Sequence, residues 1–260
     1  MQVIRFEDSN YDKKLKKAFS RKYSPNEKLK GSVEDIIESV RSGGDKAVRT
    51  LTKKFDKVDI KVEQFELSRK EISSSSRATT NEVKQAIKLS NDNVTSFALS
   101  SMRKDWSTRN SQGVLVGEVF QPFNSVGIYV PGGSAPLVST SLMTVAVAKA
   151  VNVPNIVVCT PPGPNGMICP ELVYALKQSG ATSIFRVGGA QAIAAMSIGT
   201  KTINKVDKVF GPGNSFVVEA KRQLFGDVSV DLLPGPSEVF VLADSSGKAS
   251  WIASDLLDRK

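Results

Sequence analysis

The 260-residue chain contains no histidine and only two cysteines. Without imidazole it lacks the side chain that most readily does acid–base work near neutral pH and that most often holds zinc in catalytic sites. Cys159 and Cys169 stand ten positions apart with no C-x-x-C pair. Neither a disulfide framework nor a zinc knuckle is suggested, and both thiols are expected to be reduced. No apolar run approaches the ~20 residues of a membrane span, and the stretch Met1 to Asp8 lacks the basic start and apolar core of a signal peptide. A cytoplasmic protein without a membrane partner is expected. Aromatic residues make up only 7% of the chain, and no RNA-binding aromatic pattern, zinc finger or helix-turn-helix signature accompanies its net charge of +9.

That charge is unevenly spread. Residues 1–110 carry 24 Lys and Arg against 16 Asp and Glu, whereas residues 111–260 carry 11 against 10. The excess lies in mixed-sign text such as Tyr11-Asp-Lys-Lys-Leu-Lys-Lys-Ala18, which reads as a solvated helix face, so no nucleic-acid partner is expected. Glycine and proline are concentrated elsewhere: Val126 to Glu238 holds 13 of the 19 Gly and 10 of the 12 Pro. Within it, short apolar runs end repeatedly in a Gly/Pro turn that opens a helix-like segment. The pattern implies an open α/β sheet with a ligand at its carboxyl edge. Main-chain N–H groups at such turns approach a ligand closely, and the helix N-terminus behind them favours negative charge, so a phosphate-bearing cofactor suits the site.

The first ~110 residues read as mainly helical. Val33, Ile36, Ile37 and Val40 recur at helical spacing until Gly43-Gly44 breaks the run, and Ala47, Val48, Leu51 and Phe55 share the next face. Ser68-Arg-Lys-Glu71 and Thr79-Thr-Asn-Glu82 match the capping box, the second opening a helix through Val83, Ala86, Ile87, Val94 and Phe97. Residues 113–120 read as strand. Strands then follow near 126–130, 155–159, 183–187 and 206–210, with helices near 137–151, 170–179, 190–199 and 214–225. A return segment 228–233 leads to a strand at 238–243 and a last helix from about Lys248.

Four turns put a polar side chain at a strand end: Tyr129-Val-Pro-Gly-Gly133, Gly188-Gly-Ala-Gln191, Gly211-Pro-Gly-Asn214 and Gly235-Pro-Ser-Glu238. None matches the G-x-G-x-x-G or G-x-x-x-x-G-K-[ST] fingerprint, so spacing alone says only that an α/β protein binds a ligand. Taken singly, Tyr129 could equally be a core aromatic, Asn214 a helix N-cap, Gln191 a surface residue of a first turn and Ser237 a turn residue.

In this order the four motifs resemble histidinol dehydrogenase, from the N-terminal helices to about Leu257. The resemblance implies Rossmann-like open sheets with helices on both faces behind a helical N-terminal portion. It divides the chain into 1–125, a helical and first α/β domain portion; 126–235, an NAD-binding domain; and 236–260, a return into the first domain. It also implies a zinc-dependent homodimer that oxidises L-histidinol to L-histidine in two NAD-dependent steps. Carried over by motif, Tyr129, Gln191 and Asn214 contact NAD and Ser237 contacts the substrate.

The family pattern continues, after Asp-Leu-Leu, with Gln and His ligands for zinc and later a Glu–His acid–base pair. Here Asp255-Leu-Leu257 is followed by Asp258-Arg-Lys260, placing the cation of Arg259 where the Gln ligand belongs, and Ala98 stands where a His is common. No catalytic and no metal-ligating residue is therefore assigned. The expectation is a truncated family member, inactive alone; the alternatives are a non-catalytic dinucleotide-binding paralogue and a non-functional gene fragment.

Overall fold

A computed structural model describes residues 4–19, 27–132, 137–234 and 239–257. Four helices come first: α1 (Tyr11–Phe19), α2 (Glu27–Phe55), α3 (Arg69–Ala78) and α4 (Asn81–Ser101). In α2 the apolar stripe Val33, Ile36, Ile37, Val40, Val48 and Leu51 is buried, and the expected break is a kink at Gly44, whose φ of 53° is non-helical. Ser68 and Glu71 form the expected capping box of α3. The second box does not form. Thr79 ends α3, its hydroxyl donating to the Ser75 carbonyl, and Thr80 caps α4 by accepting from Val83 N–H. Two helices meet at this dipeptide, so each threonine serves one of them. In α4 Ile87 is buried, but Phe97 is 76% exposed.

The helical text also ends sooner than expected. Strand β1 (Trp106–Arg109) pairs antiparallel with β2 (Leu115–Glu118), and all eight residues are exposed. Asn110 turns the hairpin, its side-chain oxygen accepting from Gln112 and Val114 N–H.

A five-stranded parallel sheet follows: β3 (Ser125–Tyr129), β4 (Asn155–Cys159), β5 (Ser183–Phe185), β6 (Lys208–Phe210) and β7 (Ser229–Val230), in the order β5-β4-β3-β6-β7. Between β3 and β4 the chain runs from α5 (Val138–Ser141) through a π turn at Leu142–Ala146 into α6 (Val147–Ala150). The Thr144 hydroxyl donates to the Thr140 carbonyl there, a local bond that competes with the helical ladder. Helices α7 (Pro170–Ser179), α8 (Gly189–Ile198) and α9 (Ser215–Gln223) make the later crossovers, and α10 (Ala249–Leu257) ends the described chain.

Side chains alternate across the sheet. Val126, Ile128, Ile156, Val158 and Ile184 pack on the face with Leu172, Val173 and Leu176 of α7, while Tyr129, Val157, Cys159, Phe185 and Val209 pack against α2, α8 and α9. Helices thus cover both faces, as expected of a parallel sheet. Strand β5 stops at Phe185 rather than 187 because Arg186 N–H donates to the Phe65 carbonyl of the adjoining segment. The return segment contributes only Ser229–Val230, and residues 239–243 are in no strand and mostly exposed, contrary to expectation; no described strand offers them a partner. Among the described residues no helix is long and apolar enough to cross a membrane.

Candidate functional site

Parallel register brings the strand ends level: Tyr129 lies opposite Cys159, Cys159 opposite Phe185, and Ile128 opposite Phe210. The chain moves from β3 outward to β4 and β5, then crosses back to β6 on the other side of β3. Loops diverge at such a switch point and leave a crevice at the carboxyl edge. Here it is a cleft of about 600 Å³. Pro131 and Gly132 line it after β3, Thr160 to Pro164 after β4, Gly189 to Gln191 at the start of α8, and Asn214 and Phe216 at the start of α9. Phe55 and Asp56, at the end of α2, close the remaining side.

Three of the four residues singled out from sequence meet in this cleft. Tyr129 is 4% exposed, and its hydroxyl accepts from Gly189 N–H at 3.1 Å. Burial, opposed by that N–H, pushes the phenol up to about 12, so it stays neutral and its own proton remains available to a ligand. Gln191 is 1% exposed, not the surface residue that a first-turn position allows, and its Nε2 reaches Asp56 at 3.5 Å. Asn214 does act as an N-cap: its Oδ1 accepts from Phe216 N–H at 3.0 Å and Val217 N–H at 3.2 Å. The cap uses only the oxygen, and Nδ2 faces no acceptor among the described residues. Ser237 lies outside the described residues, as do Gly133, Glu238 and Arg259.

The turn before Asn214 is held from below. Gly211 adopts φ 115°, and a Cβ there would run into the Tyr129 carbonyl oxygen. Its N–H donates to Asp231 Oδ2 at 2.9 Å, and its carbonyl accepts from Lys221, whose buried ammonium also meets Asp231 Oδ1 at 2.6 Å. A second ion pair, Arg186 to Glu71 at 2.5 Å, ties α3 to the end of β5, and Arg186 also donates to Gly166 in the loop beyond Pro164.

Several cleft residues carry no signal in a single sequence. Thr160 Oγ1 is buried without a hydrogen-bond partner among the described residues. Phe55 and Phe216, 46% and 40% exposed, present aromatic surface at the cleft. Among the described residues Asp56 is the only charged side chain lining it, and burial pushes its carboxyl up to about 6. Nothing but spatial neighbourhood marks these four, since each reads locally as ordinary helix-end or loop text. Gly188 offers α8 no capping side chain; the Tyr129 hydroxyl takes the Gly189 N–H, and the N–H groups of Ala190 and Gln191 are left to an anion. Donors, aromatic walls and helix N–H groups around a nearly neutral cleft can hold a molecule with flat rings, hydroxyls and a bridging phosphate.

Metal ligands are a different matter. Among the described residues no group of three or more His, Cys, Asp or Glu is placed to hold a metal ion. Cys159 is fully buried in the core, and the Cys169 thiol, pushed up by burial and by Glu171, donates to the Glu171 carboxylate at 2.6 Å. This donor set does not fit zinc.

A model of the histidinol dehydrogenase family matches residues 19–259. The chain is 44% identical over 227 residues to the histidinol dehydrogenase of Methanothermobacter thermautotrophicus, covering 87% of this chain and 53% of that protein. It is 41% identical over 260 residues to that of Buchnera aphidicola subsp. Baizongia pistaciae, covering 99% of this chain and 58% of the relative. The crystal structure of histidinol dehydrogenase from Elizabethkingia anophelis superposes with a TM-score of 0.86 at 37% identity, over 95% of this chain and 57% of that one. The chain thus spans somewhat more than half the length of the relatives it matches. On the family match over residues 19–259 and the shared fold, this chain belongs to the histidinol dehydrogenase family.

Proposed function

We propose that the chain supplies the NAD-holding part of a histidinol dehydrogenase, for the oxidation of L-histidinol to L-histidine. The observation that carries this reading is the convergence of Tyr129, Gln191 and Asn214 on one cleft at the switch point of the sheet. The residues present fit a dinucleotide: among the described residues, donors at Tyr129 and Asn214 without an acceptor, a buried Thr160 hydroxyl without a partner, and the Ala190 and Gln191 N–H groups at the start of α8. The diphosphate is held by α8 main-chain N–H groups rather than by lysine, and the carboxamides and phenol hold hydroxyl and amide edges without adding charge. Bound there, NAD supplies the hydride acceptor for each oxidation. Phe55 and Phe216 offer surface for a flat ring and keep water from one side of it.

The finer assignments belong to the same proposal. Residues 126–235 form the cofactor domain between the portions 1–125 and 236–260, Ser237 meets the substrate, and the working unit is a cytoplasmic homodimer. Zinc does not fit the described residues. With no imidazole in the sequence, a second reading is favoured for these 260 residues acting alone: dinucleotide binding without turnover.

Calorimetric titration of the 260-residue chain with NAD tests the proposal. A one-to-one isotherm with a Kd on the order of 1 mM or tighter, about −4 kcal/mol or better, is the expected result. No heat from a chain shown by circular dichroism to be folded would overturn it.

A further inference from the structure

We propose that Asp56 is the specificity-determining residue of the cleft: its carboxylate accepts hydrogen bonds from a ribose cis-diol of the dinucleotide and excludes the 2′-phosphorylated form. The inference rests on the NAD reading above and extends it to a residue that none of the four turn motifs contains.

The position is fixed. Asp56 follows the last residue of α2, and its N–H donates to the Thr52 carbonyl at 2.8 Å. The helix itself is held against α8 and α9 by its buried stripe. Its carboxylate reaches in beside α8 because residue 188 is glycine. An ideal Cβ there would lie 3.1 Å from Asp56 Oδ1 and 2.5 Å from Pro161 Cβ.

The carboxylate is also under-used. Its one hydrogen bond, from Gln191 Nε2 to Oδ2, is 3.5 Å long, beyond the ordinary range for N–H···O. Among the described residues Oδ1 receives none. Among the described residues no cation lines the cleft with it. Nearby on the chain, Arg49 and Lys53 both bind Asp59, and the Lys57 ammonium donates to the Lys54 carbonyl. A half-buried acceptor without donors calls for a ligand that brings donors. A cis-diol brings two O–H groups, whereas a 2′-phosphate brings only acceptors and about two negative charges, with no Lys or Arg among the described cleft residues to offset them.

Charge state gives a second handle. Burial pushes Asp56 up to about 6. In the cleft with it, Tyr129 of β3 is pushed up to about 12 by burial, and the Cys169 thiol, hydrogen-bonded to the Glu171 carboxylate, is pushed up before α7. From α8 and the start of α9 come only the uncharged Gln191 and Asn214. A cis-diol binds the ionised carboxylate better, so NAD affinity should rise as pH passes upward through about 6.

The test is titration of NAD and of NADP into the 260-residue chain and its Asp56→Asn variant, at about pH 5 and about pH 7.5, with Asp56→Ser as a second variant should the first fail to fold. At the higher pH the parent is expected to bind NAD at least about tenfold tighter than NADP. Asp56→Asn should lose about tenfold in NAD affinity, the scale of a hydrogen bond to a charged group, and should narrow the NAD/NADP ratio and flatten the pH dependence. Unchanged NAD affinity and an unchanged ratio in Asp56→Asn would overturn the proposal while leaving NAD in the cleft. Tighter NAD binding in the variant would do so too, since it would mean that the carboxylate repels the diphosphate. A folded parent that binds neither dinucleotide would sink the NAD reading and this inference with it.

Discussion

Asn214 has two jobs that a single alanine substitution would confuse. Its Oδ1 caps α9, and loss of such a cap costs about 1 kcal/mol. Its Nδ2 is the group proposed to meet the cofactor. Asn214→Asp keeps the capping oxygen and removes the donor, so its melting temperature should stay within about 1 °C of the parent while NAD affinity falls two- to tenfold, about 0.5–1.5 kcal/mol. Asn214→Ala should lose both, melting about 2–4 °C lower. Equal melting of the two variants would remove the cap from this account, and full NAD affinity in Asn214→Asp would remove the donor. Asp56 works in the opposite direction on stability. Its folded-state value of about 6 lies above the usual carboxylate value of 3.8, so the folded chain holds the extra proton between these pH values and loses stability as pH rises through that window. Above about pH 6 Asp56→Asn should therefore melt higher than the parent, by about 2 °C once solvent screening of a half-buried group is allowed for. Below about pH 4 the two should coincide. An Asn variant that melts lower throughout would contradict a strained, ligand-awaiting carboxylate. Sequence alone points to Asn214 through its glycine turn but not to Asp56. In Lys53-Lys-Phe-Asp-Lys57 the acid looks like part of a solvated, mixed-sign helix end, and only the tertiary approach of α2 to α8 reveals it.

At the level of elements, the turn between β6 and α9 depends on one buried ion pair. Lys221 and Asp231 together satisfy both backbone groups of Gly211, so the turn that carries Asn214 is set by residues ten and twenty positions downstream. Lys221→Ala leaves the Asp231 carboxylate and the Gly211 carbonyl without their cation, a loss of about 3–5 kcal/mol when one member of a buried pair is removed. Urea unfolding should show a midpoint lowered accordingly, with NAD affinity reduced in whatever fraction remains folded. A change below about 0.5 kcal/mol would mean that the turn holds itself. The parallel strands and their crossover helices were legible because β-branched runs alternate with Ala-rich helical text and each boundary carries a Gly or Pro. The hairpin at β1 and β2 was only half legible. Gly113 to Phe120 shows strand character, but Trp106–Arg109 sits in polar, charged text and becomes a strand only through its partner. The strand expected at 238–243 fails for the converse reason: Val239-Phe-Val-Leu242 is apolar enough, yet residues 239–243 have no strand beside them among the described residues. Strand propensity is realised by pairing and burial, which a sequence window does not contain.

For the whole molecule, the cleft proposed to hold NAD is assembled from five segments, whereas for the chemistry of oxidation the described residues hold neither imidazole nor a metal cluster. Amide chemical shifts of the isotope-labelled 260-residue chain, followed as NAD is added, measure directly where NAD sits. Concentration-dependent shifts are expected to cluster at Gly132, Gly163, Ala190, Gln191 and Phe216, all on the cleft wall, with the β1–β2 hairpin unmoved. Shifts confined to the hairpin or to α10, or none at all in a folded chain at millimolar NAD, would contradict this placement.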